Sequence, residues 1–208
     1  MTSIITEKYM NKIKNMNDAE YLFGIISYGI APTLSGNKPS SIITFGKNNA
    51  NLNILWERYK YIFLEKYNLN FFELKKNQNS ITILFYYSDK LKSAIYSDKH
   101  MKFLNKFGYS EKFDLYKNLS ILKERFKDAC PHEVGVFLGF PLDDVICFME
   151  KPSKRCLMCG YWKVYNDLNL AREIFANYDK ARYNVAKNVI QGVTPSMLID
   201  ILEDAAYV

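Results

Sequence analysis

The sequence predicts an α+β fold: a small, mostly antiparallel sheet of about four strands packed against a majority of helices, in one domain spanning residues 1–208. Three observations lead there. Segments with helical spacing outnumber the β-branched runs and do not alternate with them regularly, which argues against a doubly wound parallel sheet. Two strand-like runs face each other across a short polar connection, as in an antiparallel hairpin. A chain of 208 residues, 49% of them hydrophobic, can also bury a sizeable core, and no internal repeat or Pro-, Gly- or Ser-rich tract divides it.

In chain order, a first helix is expected from about Glu7 to Lys14. A second, more apolar helix starts at Asn17 or Asp18, whose side chains can cap a first turn, and ends near Tyr28–Gly29. Residues 31–39 (Ala-Pro-Thr-Leu-Ser-Gly-Asn-Lys-Pro) read as a loop, with turn formers at nearly every other position. Ser41–Phe45 is β-branched and reads as a strand, whereas Leu52–Tyr67 carries the helical stripe Leu55, Tyr59, Ile62, Phe63 and Tyr67. Asn70–Lys75 and Ser80–Tyr87 form the hairpin. Short helices follow at Lys90–Tyr96 and Lys99–Phe107, the second ended by Gly108, then a longer one from about Asp114 to Asp128. His132–Leu138 and Leu142–Glu150 read as two short helices, with Pro131 and Pro141 in first turns, where a missing N–H costs nothing. Leu157–Tyr165 is expected as one aromatic strand, Leu170–Ile190 as an amphipathic helix, and Pro195–Ala206 as a last helix capped by Thr194.

The net charge of +6 invites a nucleic-acid reading, but two features argue against it. Arginine, which clamps phosphates and reads bases bidentately, occurs only at Arg58, Arg125, Arg155, Arg172 and Arg182. The lysines are scattered along the chain, as on a solvated surface. No apolar run reaches the roughly 18 residues of a membrane helix, and the N-terminus has no signal-peptide pattern, so a cytoplasmic location and no membrane partner are expected. In that compartment Cys130, Cys147, Cys156 and Cys159 would be reduced thiols, metal ligands or redox groups.

Three segments are distinctive: Cys130-Pro-His-Glu-Val-Gly-Val-Phe-Leu-Gly-Phe-Pro-Leu-Asp-Asp-Val145, Cys156-Leu-Met-Cys-Gly-Tyr-Trp-Lys-Val-Tyr165, and the loop from Ala31 to Lys38. In them the chain resembles the bacterial domain-of-unknown-function family 3793, whose members carry a PHEIGLFLGYP-EDV segment, a GCWKVY-like segment and an APTLAGIK-like loop. The matches span about Ala31 to Tyr165. The resemblance implies a bacterial, anaerobe-type origin and brings no reaction with it. Cys130 departs from the family pattern, which has an aromatic residue there, and this puts any essential role for that thiol in doubt.

Several residues in these segments can carry chemistry. His132 and Glu133 sit at a predicted helix N-terminus, where an imidazole and a carboxylate could serve as catalytic acid and base or contact a substrate. The helix dipole favours Glu133 there without any function, so a capping corner is the alternative. The spacing is not His-Glu-x-x-His, because Val136 stands in the final position. Cys156 and Cys159 could chelate a soft metal such as zinc or iron, or act as a redox pair or nucleophile. A structural site needs four ligands, so Cys130, Cys147 or His132 would have to complete it; ordinary reduced thiols are the alternative. In the loop, Thr33, Ser35 and Lys38 could cradle a phosphate or carboxylate with backbone N–H groups, although the spacing is not that of a P-loop. On a strand, Tyr161 and Lys163 would share a face and could form a stacking wall for a nucleobase, flavin or porphyrin. Asp143-Asp144 reads as a charged helix start rather than a metal pair.

Two function classes follow. One is a cytoplasmic small-ligand-binding or accessory protein, its pocket near His132 between the Pro32–Lys38 loop, His132-Glu133 and the Cys156–Lys163 segment, taking a small anionic or planar ligand. The other is a small enzyme or metal-binding protein using His132, Glu133, Cys156 and Cys159. The first is preferred, because no complete catalytic constellation assembles from the sequence.

Overall fold

The computed structural model describes residues 2–46, 51–151 and 153–206. Helix α1 (Thr2–Lys14) starts five residues before the expected Glu7. Asn17 caps α2 (Asp18–Gly29) by accepting the Glu20 N–H at 3.0 Å. The chain then makes a single further turn, α3 (Ala31–Leu34), where the sequence predicts a loop. Pro32 lies in that first turn and permits it, since the lost N–H would have no helical partner.

Strand β1 (Ser40–Gly46) leads, after α4 (Leu52–Lys66), to the hairpin of β2 (Asn70–Lys76) and β3 (Ser80–Tyr86). The hairpin turn is set by Asn77, whose carboxamide oxygen accepts the N–H groups of Asn79 and Ser80 at 2.8 and 2.9 Å. Both β1 and β2 pair antiparallel with β3, giving the order β1-β3-β2. The central strand is therefore buried on both sides. Ile81, Ile83 and Phe85 face one cluster, with α2 and α4, while Leu84 and Tyr86 face another. A bulge between Glu73 and Lys75 turns Leu74 and Lys75 to the same side.

The second face of the sheet is covered by α5 (Ser88–Ile95), α6 (Asp98–Leu104), α7 (Leu115–Arg125), α8 (Val134–Phe137) and α9 (Leu142–Glu150). Gly108, at φ +91°, ends the 3-10 turn that follows α6, and Asp114 caps α7. The pair expected at 132–138 and 142–150 is present, the first shortened to one turn.

The expected single strand over Leu157–Tyr165 is instead a tight two-stranded hairpin, β4 (Met158–Cys159) and β5 (Lys163–Val164), so the sheet of about four strands is one of three plus this separate pair. Gly160 lies at the turn, and the Phe175 ring packs so close to it that a Cβ there would fall 2.2 Å away. Two helices close the fold, α10 (Leu168–Ile190), capped by Asp167, and α11 (Pro195–Ala206). They pack with α1 and α3 around Tyr9, Ile13, Ala181 and Val185. No helix among the described residues is long and apolar enough to cross a membrane.

Candidate functional site

The three distinctive segments meet at one corner. Gly139, in the left-handed region at φ +72°, lets the turn between α8 and α9 press on the Pro39 ring, where a Cβ would fall 2.6 Å from Cδ. Ser40 donates its hydroxyl to the Phe137 carbonyl at 2.7 Å, fastening β1 to the same turn. The hairpin is held by Asp144, which is 3% exposed and makes no salt bridge among the described residues. Its carboxylate accepts the Trp162 indole N–H at 2.8 Å, the backbone N–H groups of Tyr165 and Asn166 at 2.9 and 3.1 Å, and the Asn166 carboxamide at 2.8 Å. Such a set of donors compensates a buried carboxylate as an ion pair would. Asp144 is thus the anchor of the hairpin, while its neighbour Asp143 lies outside in an exposed pair with Lys99.

Between α8, α9 and the hairpin runs a groove of about 500 Å³. Its walls are Val134, Leu138, Phe140, Val145, Phe148 and Trp162, with Tyr161 at one side and little polar surface. Besides the Tyr161 hydroxyl and the Trp162 indole N–H, the polar side chains in the lining are Cys130, His132, Asp144 and Lys163. The His132 ring stands edge-on to Phe148, 4.9 Å between centroids, and the Lys163 amine lies 5.2 Å from the centre of the same ring.

Neighbours in sequence part company here. His132 is exposed and lines the groove, whereas Glu133 is 1% exposed and turns into the core. There Glu133 accepts from Arg125 and, at 3.1 Å, from the Tyr109 hydroxyl, while its second oxygen is buried without a partner among the described residues. Burial and the adjacent carboxylate push the Tyr109 phenol and the Cys130 thiol up. His132 and Glu133 thus face different surroundings and do not form one acid/base pair. Tyr161 and Lys163 both border the groove, Tyr161 from the turn and Lys163 from β5, so they do not share the face of one strand.

The Pro32–Lys38 loop offers no open cradle. The N–H groups of Thr33, Leu34, Ser35, Gly36 and Asn37 all go to carbonyls within residues 30–33. Thr33 is fully buried with its hydroxyl 2.7 Å from that of Ser41, and Ser35 bonds the Pro32 carbonyl. Lys38 is the exception, its amine 5.3 Å from the Phe140 ring centre and 5.8 Å from that of Tyr178. Burial, with the Arg182 charge nearby, pushes that amine down to about 8.

Cys156 is half-buried, Cys159 is exposed, and neither lines the groove. Among the described residues no three His, Cys, Asp or Glu side chains gather in a way that could hold a metal ion. The sequence reading misses Phe148 and Arg182. Phe148 follows Val145 at helical spacing and was legible only as part of an apolar face, and Arg182 carries no local signal at all.

Comparison with curated proteins and with solved structures gave no match. A family model described as "Protein of unknown function (DUF3793)" matches residues 26–199, a span that holds all three distinctive segments and both walls of the groove. The chain belongs to the DUF3793 family.

Proposed function

We propose that this protein is a cytoplasmic small-ligand-binding or accessory protein that takes a flat, largely apolar molecule bearing an acidic group into the groove between α8, α9 and the hairpin. The groove itself carries the reading. Its volume of about 500 Å³ falls in the range of ligand clefts, roughly 300–1,000 Å³, and like them it combines apolar walls with a few polar groups. Phe140, Phe148 and Trp162 offer ring faces and edges to a planar ligand, and the Lys163 amine at the rim favours an acidic substituent. Four free cysteines suit a reducing compartment.

The two tryptophans provide the test. Naphthalene-2-carboxylate and flavin mononucleotide serve as planar anionic probes, followed by the indole N–H resonances of the folded protein. The Trp162 signal is expected to shift on titration while that of Trp56, fully buried elsewhere, stays in place. Phe148→Ala, at a partly exposed wall residue, should weaken the binding about tenfold with little loss of stability. If neither probe moves the Trp162 signal, or Phe148→Ala binds as well as the wild type, the reading fails.

A further inference from the structure

Behind the groove wall, two cations sit on adjoining aromatic rings, Lys38 on Tyr178 and Arg182 on Tyr161, whose centroids are 5.0 Å apart. Lys38 comes from the loop before β1 and Arg182 from the middle of α10. The Lys38 amine packs on Phe140 and Tyr178; the Arg182 guanidinium lies 4.9 Å from the Tyr161 ring centre and 5.8 Å from that of Tyr28. Four rings therefore box in two like charges, which repel more strongly there than in water. Among the described residues neither cation makes a salt bridge, and the Arg182 Nε–H is buried with no acceptor. The nearby carboxylate, Asp179, accepts the Tyr161 hydroxyl at 2.7 Å. A buried N–H without an acceptor and two unpaired neighbouring cations are each costly, and one anionic group would relieve both.

We infer that Lys38 and Arg182 form a binding site for a small oxyanion, a phosphate or carboxylate group, held between the amine and the Nε edge of the guanidinium. That edge presents parallel N–H groups suited to two oxygens at once. A cavity of about 240 Å³, lined by Ile5, Thr6, Tyr28, Asp179, Arg182 and Tyr183, opens onto Arg182, with Lys38 outside its lining. Neither cation lines the apolar groove, so this inference stands apart from the proposed function, although Phe140 and Tyr161 serve both.

The test uses sulfate and acetate as probes, because neither changes charge between pH 6.5 and 9.5, with chloride at matched ionic strength as control. Calorimetry on the wild type at pH 6.5 should show one saturable site for at least one of the two, and which one binds tells a phosphate-like from a carboxylate site. Lys38→Met and Arg182→Gln should each weaken it at least tenfold. Raising the pH to 9.5 should weaken the wild type about tenfold or more and leave Lys38→Met unchanged. The groups facing the pair fit that readout. Burial holds the phenols of Tyr161 and Tyr178 above their ordinary value, Tyr178 to about 12, while Tyr28 and Asp179 border Arg182, and Lys90 packs near Gly36 on the same loop. Arg182→Lys checks the geometry: it keeps the charge but loses the fork and should recover only part of the affinity. No saturable binding by either probe, or variants that bind like the wild type, would overturn the inference. The groove probes report through Trp162 and the oxyanions through Lys38 and Arg182, so either site can fail alone.

Discussion

The two tryptophans sit in similar aromatic clusters with opposite outcomes. Trp56 is ringed by Phe45, Phe63, Phe71 and Phe85 at 4.7–6.2 Å between centroids, and its indole N–H goes to the Glu73 carboxylate at 3.1 Å. Trp162 is flanked by Phe140 and Phe175 at 5.1 and 4.5 Å, and its N–H goes to Asp144 at 2.8 Å. The difference lies in closure and charge balance. Around Trp56 the sheet and α2 and α4 close the cluster, and Glu73 is neutralised by Lys60 at 3.1 Å, itself paired with Glu57. Around Trp162 one side is an open groove, the buried carboxylate is held by N–H donors, and among the described residues the nearby cations Lys38 and Arg182 make no salt bridge. Aromatic density alone marks a core; aromatic density left open beside unbalanced charge marks a place for a ligand.

Truncating the closed cluster should have the largest effect. Trp56→Ala is expected to cost about 4 kcal/mol in urea unfolding, from a cavity that its neighbours cannot fill, while leaving probe binding at Trp162 unchanged in the folded fraction. A loss of probe binding would mean the two clusters are not separate. Next comes the anchor of the open cluster. Asp144→Ala should cost about 3 kcal/mol by orphaning the Trp162, Tyr165 and Asn166 donors, and it should also abolish probe binding as the hairpin detaches. If stability falls but binding persists, the hairpin does not depend on Asp144.

Charge balance gives the third expectation. The Lys38 amine is pushed from an ordinary 10.5 down to about 8. Between those values the unfolded chain holds a proton that the folded chain has shed, so stability rises with pH through that window and the full cost is felt below about 8. Lys38→Met should therefore be more stable than the wild type at pH 7 in chloride, by about 1–3 kcal/mol, and the gap should narrow as pH rises from about 8 and close above the ordinary 10.5. An equally stable or weaker variant at pH 7 would show the amine to be compensated. The smallest effect belongs to the balanced side. Burial works against the Lys60 charge, but hydrogen bonds to Glu57 and Glu73 hold its pKa above the ordinary value; Lys76 and Lys60 together draw Glu57 below its own. The Lys76–Glu57 pair, 2.7 Å apart, is half exposed, so Lys76→Ala should cost less than about 0.5 kcal/mol and nothing measurable in molar salt.

Local signals carried most of the fold. The caps at Asn17 and Asp114, the stop at Gly108, the Asn77 turn and the helical stripe of α10 each act within a few residues, so the elements they bound could be read along the chain. The exceptions have local reasons too: α3 and the two residues of each strand in the small hairpin are too short to show a period. The site was legible as a neighbourhood. His132, Tyr161, Lys163 and Lys38 were all singled out, and the first three do border one groove.

By itself, then, the sequence determined the α+β class, the order of the longer elements, the three segments that meet at the corner and the family those segments indicate. Only the tertiary structure decided what each side chain there faces. A one-residue step around a helical turn sends His132 to the groove and Glu133 to Arg125, and no composition or spacing shows which way each will point. Nor could any local pattern bring Lys38 into the field of Arg182, since that depends on α10 packing against α3 and the small hairpin. Periodicity acts over a few residues and is written in order along the chain, whereas burial, charge balance and the shape of a groove depend on elements far apart in sequence.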